Sequence, residues 1–258
     1  MSNPRGRFVW YELMTNDMKA AEAFYSRVVG WEAQDAGKSS ECAYTIFSVG
    51  ELPVAGLMEV PTEARARGVK PAWVGYVGVE DVDDFALQVT YAGGAVRRAP
   101  DDIPGIGRFA VVADPQGAVF MLFKGSEDGQ GSQPAPGKPG HIGWHELHAG
   151  EWQSAFAFYS KLFGWTKAEA VDLGAMGLYQ TFATDSVPVG GMMTKVEAVP
   201  APFWLYYFNV DDITAAVARV KDAGGQVLHG PQQVPGGSWI AHCLDPQGVI
   251  FALTGPGS

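Results

Sequence analysis

From Arg7 to Met14 the chain reads RFVWYELM, with Trp10, Glu12 and Met14 on one parity and Val9, Tyr11 and Leu13 on the other. That alternation predicts a β-strand with both faces used. The period then changes. In MKAAEAFYSRVV, residues Ala20, Ala23, Phe24 and Val28 fall on one side of a helix, with Asn16 or Asp17 placed to cap it and Gly30 to stop it. DDITAAVARVKDAGG has the same design, with Asp211 or Asp212 as cap and Gly224 as stop. VDDFALQVTYAGG predicts a weaker helix, because Val89, Thr90 and Tyr91 are poor helix formers. AYTIFSV, WVGYVGV, RFAVVAD and AVFMLF are short runs of branched and aromatic residues bounded by Gly, Pro or Asp, and they predict strands.

The same pattern occurs twice. WYELMTNDMKAAEAFYSRVVGW (Trp10 to Trp31) is answered by WHELHAGEWQSAFAFYSKLFGW (Trp144 to Trp165). Further on, YTIFSVGELPVAGLM is answered by YQTFATDSVPVGGMM, WVGYVGVEDVDD by WLYYFNVDDITA, and DPQGAVF by DPQGVIF. Matching order and spacing identify an internal duplication. Between the copies, GSEDGQGSQPAPGKPG is rich in Gly, Pro, Ser and charge and reads as a surface linker. The expected organisation is a first module over 1–124, a linker over 125–140 and a second module over 141–258.

The net charge of −10 over 258 residues, with no Lys/Arg cluster, gives no footprint for nucleic acid or an anionic membrane. No apolar run approaches a membrane span, and MSNPRGRFVW has no signal-like apolar core, so a cytoplasmic location is expected. Cys42 and Cys243 do not match between the copies and form no C-x-x-C, which leaves them as small semi-buried residues.

FYSRVVGW, FYSKLFGW, DPQGAVF and DPQGVIF, together with W-x-E-L in each opening strand, resemble the vicinal-oxygen-chelate superfamily of glyoxalases, bleomycin-resistance proteins and extradiol dioxygenases. The resemblance is to its two-module branch and spans nearly the whole chain. It implies an α+β fold of tandem modules, each built of βαβββ units whose curved mixed sheet forms a cup. It also implies a divalent-metal site with one ligand on a first strand, at the position held by Trp10 and Trp144. The other ligand lies on a last strand, seven residues after the Asp of D-P-x-G, at the position held by Met121 and Ala252. An indole offers no lone pair, an Ala methyl none, and a thioether prefers soft ions. The family's usual metal is therefore not expected here.

What remains for chemistry is chiefly Glu12 and Glu146, two residues after the lost ligand positions and on the same strand face. A carboxylate among apolar neighbours suits proton transfer, or else a structural bond to backbone amides or a Tyr hydroxyl. His148 and His242, which have no counterpart in the first copy, give with Glu146 an alternative relocated divalent-metal site; His141, His145 and His229 are weaker candidates. Trp10, Trp144, Tyr44, Tyr179, Trp73, Trp204, Tyr207 and Met121 are candidate lining for a flat or hydrophobic ligand, competing with core packing. Arg108 is a candidate for steering an anionic substrate. GIGRFA imitates a dinucleotide fingerprint but leads into a strand rather than a helix.

Two functions follow as expectations. One is a glyoxalase-like lyase, isomerase or hydroxylase acting on a small carbonyl or hydrophobic metabolite without the usual metal. The other is a binding protein of the bleomycin-resistance type that sequesters a small molecule and performs no catalysis. A monomer pairing its own modules is the expected assembly, with a homodimer as the alternative.

Overall fold

A computed structural model describes residues 5–39, 42–126 and 137–257; the Cys42 side chain and most of the expected linker lie outside that description. The first copy runs β1 (Phe8–Thr15), α1 (Met18–Val29), β2 (Glu32–Ser39), β3 (Cys42–Val49), β4 (Leu52–Glu59), a short α2 (Thr62–Ala66), β5 (Ala72–Gly78), α3 (Val82–Tyr91), β6 (Ala95–Ile103), β7 (Gly107–Ala113) and β8 (Val119–Gly125). The second runs β9 (Ile142–Ala149), α4 (Trp152–Phe163), β10 (Thr166–Asp172), a 3-10 turn at Gly174–Met176, β11 (Leu178–Thr184), β12 (Val187–Thr194), β13 (Phe203–Asn209), α5 (Ile213–Asp222), β14 (Gln226–Gln233), β15 (Trp239–Leu244) and β16 (Ile250–Gly255). Each copy thus contains the βαβββ succession twice.

There are two open eight-stranded mixed sheets, ordered β2-β3-β4-β1-β5-β8-β7-β6 and β10-β11-β12-β9-β13-β16-β15-β14. The strands that join the ends of a βαβββ succession are parallel, as β1 is to β4 and β13 is to β16, and the hairpins are antiparallel. The α+β expectation is met, and the duplication is visible in the identical strand order.

The helices begin and end where local chemistry sets them. Asp17, Asp81 and Asp212 each accept a backbone N–H from the first turn of α1, α3 and α5. In α4 that task falls to Glu151, whose carboxylate accepts from Gln153 and Ser154. Gly30 and Gly164 close α1 and α4 at φ 87° and 73°, a backbone state in which a Cβ is strained.

The chain condenses into two compact units that do not follow the repeat: Met1–Val9 with Val74–Gln133 and Trp144–Leu205, and Trp10–Trp73 with Pro134–Gly143 and Tyr206–Ser258. In the second of these, Tyr25, Trp31, Phe47, Trp73, Phe208 and Phe251 form one aromatic core, with Trp31 and Phe208 ring centroids 5.1 Å apart. In the first, Tyr159, Trp165, Phe182 and Trp204 do the same, with Trp165 stacked on Phe182 at 4.4 Å. The indole N–H of Trp31 donates to the Gly140 carbonyl and that of Trp165 to the Gly6 carbonyl, so each buried indole is satisfied.

Candidate functional site

Strand parity places Trp10 and Glu12 on one face of β1, and Trp144, Glu146 and His148 on one face of β9. Glu12 and Glu146 are 5% and 6% exposed, a degree of burial that demands partners. The partner comes from two strands away. Tyr44 of β3 donates its hydroxyl to Glu12 Oε2 at 3.0 Å, and the indole N–H of Trp10 donates to that same hydroxyl at 3.2 Å. In the second copy Trp144 donates to Tyr179 at 2.7 Å, and Tyr179 hydrogen-bonds Glu146.

A phenol reaches across the intervening strand because that strand carries a glycine there. Gly56 lies beside Glu12 in the register of β4 and β1, and Gly191 beside Glu146 in that of β12 and β9. A Cβ at Gly56 would fall on the Tyr44 hydroxyl, and one at Gly191 on the Tyr179 ring. Burial first, then the neighbouring carboxylate charge, pushes both phenols well above their ordinary pKa, so each stays a proton donor toward its glutamate.

The copies then diverge. Beyond Glu146, His148 brings Nε2 to 2.7 Å from Glu146 Oε1, with side chains 15% and 8% exposed. The contact is close, but it lacks the alignment of a hydrogen bond. The imidazole is fixed by a parallel stack on Phe203 at 4.7 Å between centroids. At the matching places of the first copy stand Met14 and Ala72.

The other sequence candidates sort into different roles. Trp73 and Trp204 are core, their indole N–H groups donating to Tyr25 at 2.9 Å and Tyr159 at 3.2 Å. Met121 is buried on β8 in register with Tyr76. Tyr207 and His242 meet at 2.8 Å between Oη and Nε2, and His242 lies opposite His229 between β14 and β15. Arg108 is held by Asp83 through two bonds of 2.6 and 2.9 Å and by Asp102 at 2.8 Å, so its guanidinium faces carboxylates of its own chain. His145 is buried, stacked on Phe8 at 4.0 Å with Nδ1 2.6 Å from the Val189 carbonyl oxygen; burial depresses its pKa to about 4.

A metal fits this donor set poorly. The expected ligand positions hold Trp10, Trp144, Met121 and Ala252, and both indole N–H groups are spent on tyrosines. Of the relocated set, Glu146 and His148 come together while His242 hydrogen-bonds Tyr207. Among the described residues no three His, Cys, Asp or Glu side chains form a group able to hold an ion.

Sequence reasoning did not single out Gly56, Gly191 and Phe203. The first two carried a signal, a glycine at the same place of a strand in both copies.

Duplicated βαβββ strands in two open mixed sheets define the class, and comparison with known proteins agrees. The family model of the Glyoxalase/Bleomycin resistance protein/Dioxygenase superfamily matches residues 7–122 and again 139–253, and the chain belongs to that superfamily. It is 31% identical over 248 residues to "Putative glyoxylase CFP32" of Mycobacterium tuberculosis (strain CDC 1551 / Oshkosh), covering 96% of this chain and 94% of that protein. It is 31% identical over 261 residues to the anthracycline biosynthesis protein DnrV of Streptomyces peucetius, covering 96% and 92%. Among solved structures, the Mn(II)-bound glyoxalase from Novosphingobium aromaticivorans superposes with TM-score 0.67 at 18% identity, over 97% of this chain and 82% of that one. The 2,3-dioxygenase LapB from Pseudomonas sp. KL28 gives TM-score 0.67 at 14% identity, over 98% and 92%. These structural likenesses show the fold. No helix among the described residues is long and apolar enough to cross a membrane.

Proposed function

We propose that the chain is a glyoxalase-like enzyme that moves a proton beside the carbonyl of a small, hydrophobic metabolite, with Glu146 as the base and without the family's usual metal. The observation that carries this reading is the 2.7 Å approach of His148 Nε2 to Glu146 Oε1 in a copy whose twin has methionine there. A buried carboxylate held on one side by a phenol is oriented but already satisfied, which suits a structural role. A carboxylate that also meets an imidazole has a neighbour able to relay the proton it takes.

In the proposed step Glu146 removes a proton from the carbon next to the carbonyl and the electron pair moves onto the carbonyl oxygen. Returning the proton to the same or the neighbouring carbon completes an exchange or an isomerisation. Tyr179, kept protonated and fixed by Trp144, sets the angle of the carboxylate. Trp144 and Phe203 give the surroundings an aromatic character that suits a flat ligand. The similarity to a protein named for anthracycline biosynthesis is in keeping with that, since anthracyclines are flat polycyclic ketones. We take the working species to be a single chain, because each compact unit draws on both copies.

The test is solvent deuterium exchange into a panel of aromatic and aliphatic ketones, followed by NMR. Wild-type protein and E12Q are expected to catalyse exchange into at least one of them, and E146Q to lose about 100-fold or more. Equal activity in wild type and E146Q would retire Glu146 as the base. A saturable quench of tryptophan fluorescence by the same ketones with no exchange would leave binding without catalysis.

A further inference from the structure

β14 is the outermost strand of its sheet, and its register with β15 shifts on both sides of His229, between Val227 and His229 and again between His229 and Gln232. Between the two irregularities His229 stands directly opposite His242, so the two imidazoles share one face of the sheet. Their ring centroids are 5.6 Å apart. His229 is exposed and His242 half-buried, so solvent reaches the pair.

The row continues across the sheet. His242 is in register with Ala252 of β16, and Ala252 with Tyr207 of β13. An alanine in the middle lets the Tyr207 hydroxyl come to 2.8 Å from His242 Nε2. At the other end Gln232 Oε1 lies 2.7 Å from His229 Nε2. All of these residues belong to the compact unit of Trp10–Trp73, Pro134–Gly143 and Tyr206–Ser258, and none is part of the Glu146 site. The first copy has the same row in the same register, but it holds Arg98, Val111, Met121 and Tyr76 and offers no imidazole.

The hydrogen bonds fix the two rings in the way a bound ion needs. A carbonyl oxygen only accepts, so the contact with Gln232 puts the proton of His229 on Nε2 and a lone pair on Nδ1. Tyr207 Oη can accept from His242 Nε2 in the same way, which makes Nδ1 the ligating nitrogen of His242 as well. A ligating histidine characteristically gives its other N–H to such an acceptor, which holds the ring and its tautomer in place. Two imidazoles on one zinc-class ion, with metal–nitrogen bonds of ~2.0–2.1 Å, put their ring centres roughly 5–6 Å apart. The 5.6 Å between His229 and His242 falls in that range.

We propose that His229 and His242 form a cross-strand chelate for a borderline divalent cation of the zinc class, which ties the edge strand β14 to β15. Imidazole nitrogens select zinc, nickel or copper over calcium and magnesium. Neither histidine stands at the superfamily's ligand positions, which hold Trp10, Trp144, Met121 and Ala252. A pair of donors is half the set of a structural zinc site, so the ion exchanges readily, leaves on desalting and is followed at equilibrium.

The experiment is a titration of the untagged, ¹⁵N-labelled full chain with zinc chloride at neutral pH, read by long-range ¹H–¹⁵N NMR of the imidazoles, with magnesium chloride as the control. The Nδ1 signals of His229 and His242 are expected to shift together and saturate with a Kd on the order of 10 µM to 1 mM. Those of His148 are expected to stay in place, and magnesium to move none. H242V, which installs the first copy's residue, and H229Q are each expected to weaken binding at least about tenfold. H229Q alters an exposed side chain only, so the proposal does not depend on H242V folding. Absence of a saturable shift of both rings by about 2 mM zinc, zinc shifts centred on His148, or undiminished affinity in H229Q would each overturn it.

Discussion

The hydroxyl of Tyr25 donates to Asp245 Oδ2 at 3.2 Å across 220 residues of chain, and Tyr159 donates to Asp114 Oδ2 at the same distance. The helix tyrosine of each copy therefore meets the aspartate that opens the other copy's D-P-Q-G turn. Each aspartate also accepts two backbone N–H groups of its own turn: Gln247 and Val249 for Asp245, Gln116 and Ala118 for Asp114. The adjoining glutamines extend the closure. Gln247 Oε1 accepts from Thr15 and from the backbone of Asn16 and Asp17, while Gln116 bonds the backbone of Glu151 in both directions.

Removing either aspartate strands a buried phenol and two backbone donors together. D245A and D114A are each expected to cost about 2–4 kcal/mol, and Y25F about 1 kcal/mol. Urea denaturation of each variant measures this, and a loss no larger than that of an exposed substitution such as E63A would show that the closure contributes little.

The paired glycines make a sharper claim about the glutamates. G56A and G191A each drive a methyl into a tyrosine that holds a carboxylate, and each is expected to cost about 1–3 kcal/mol in overpacking. Only G191A is expected to reduce ketone exchange, because only Glu146 has an imidazole beside it. Thermal melts and the exchange assay, run on both variants, separate the two effects.

Replacing His148 by the first copy's residue isolates the relay. H148M is expected to keep the fold and to lower exchange by about 10–100-fold, the range in which a positioned proton carrier acts. The converse change, M14H, tests whether Glu12 can be recruited. It is expected to gain little, since the matching place for Phe203 holds Ala72 and the ring has nothing to stack on.

Acid stability should report His145. Its ring is neutral in the fold because burial lowers its pKa from 6.5 to about 4, while the bond to Val189 works weakly the other way. The unfolded chain takes up the proton from about pH 6.5 downward and the native state only near 4, so this contribution to stability is whole above 6.5, falls between 6.5 and 4, and is flat below. Over that window the wild type is expected to lose about 2–4 kcal/mol more than H145F, which keeps a ring against Phe8. Denaturation midpoints at pH 7, 6 and 5 give the two slopes. Comparing slopes cancels Asp114 and Asp245, whose burial raises their pKa in both proteins.

Elemental analysis of protein purified without chelators or an affinity tag, before and after incubation with nickel, zinc, manganese and ferrous iron, tests the donor argument. No stoichiometric metal is expected. A bound equivalent that E146Q abolishes would return the site to metal chemistry.

The strands and helices with strong periodicity were legible, as were α1 from its Asp17 cap to its Gly30 stop and the duplication itself. The strands β2, β6, β10 and β14 were not: EAQDAGKS, AVRRAPDDI, TKAEAVD and QVLHGPQQ sit at sheet edges, largely solvated, and so carry no apolar alternation to read. At the site, Glu12 and Glu146 stood out as carboxylates among apolar neighbours. The sequence offers Tyr44 and Tyr179 as ligand lining, but not their bonds to the glutamates across a glycine, a relation that depends on register between strands. Trp73, Trp204 and Arg108 show the same limit. Which groups of its own protein an indole or a guanidinium meets is decided by how the strands and helices are brought together.

Because each compact unit joins an early part of one copy to a late part of the other, the order of synthesis matters. The unit containing Glu12 lacks Tyr206–Ser258 until the second copy is made, and Tyr25 has no Asp245 to meet before then. A nascent first copy, although complete as a repeat, lacks the Phe208 and Phe251 rings that pack against Tyr25 of α1. The repeat is thus a unit of ancestry whose parts are shared out between the two compact units, and a chain stopped at the linker would carry part of each core and the whole of neither.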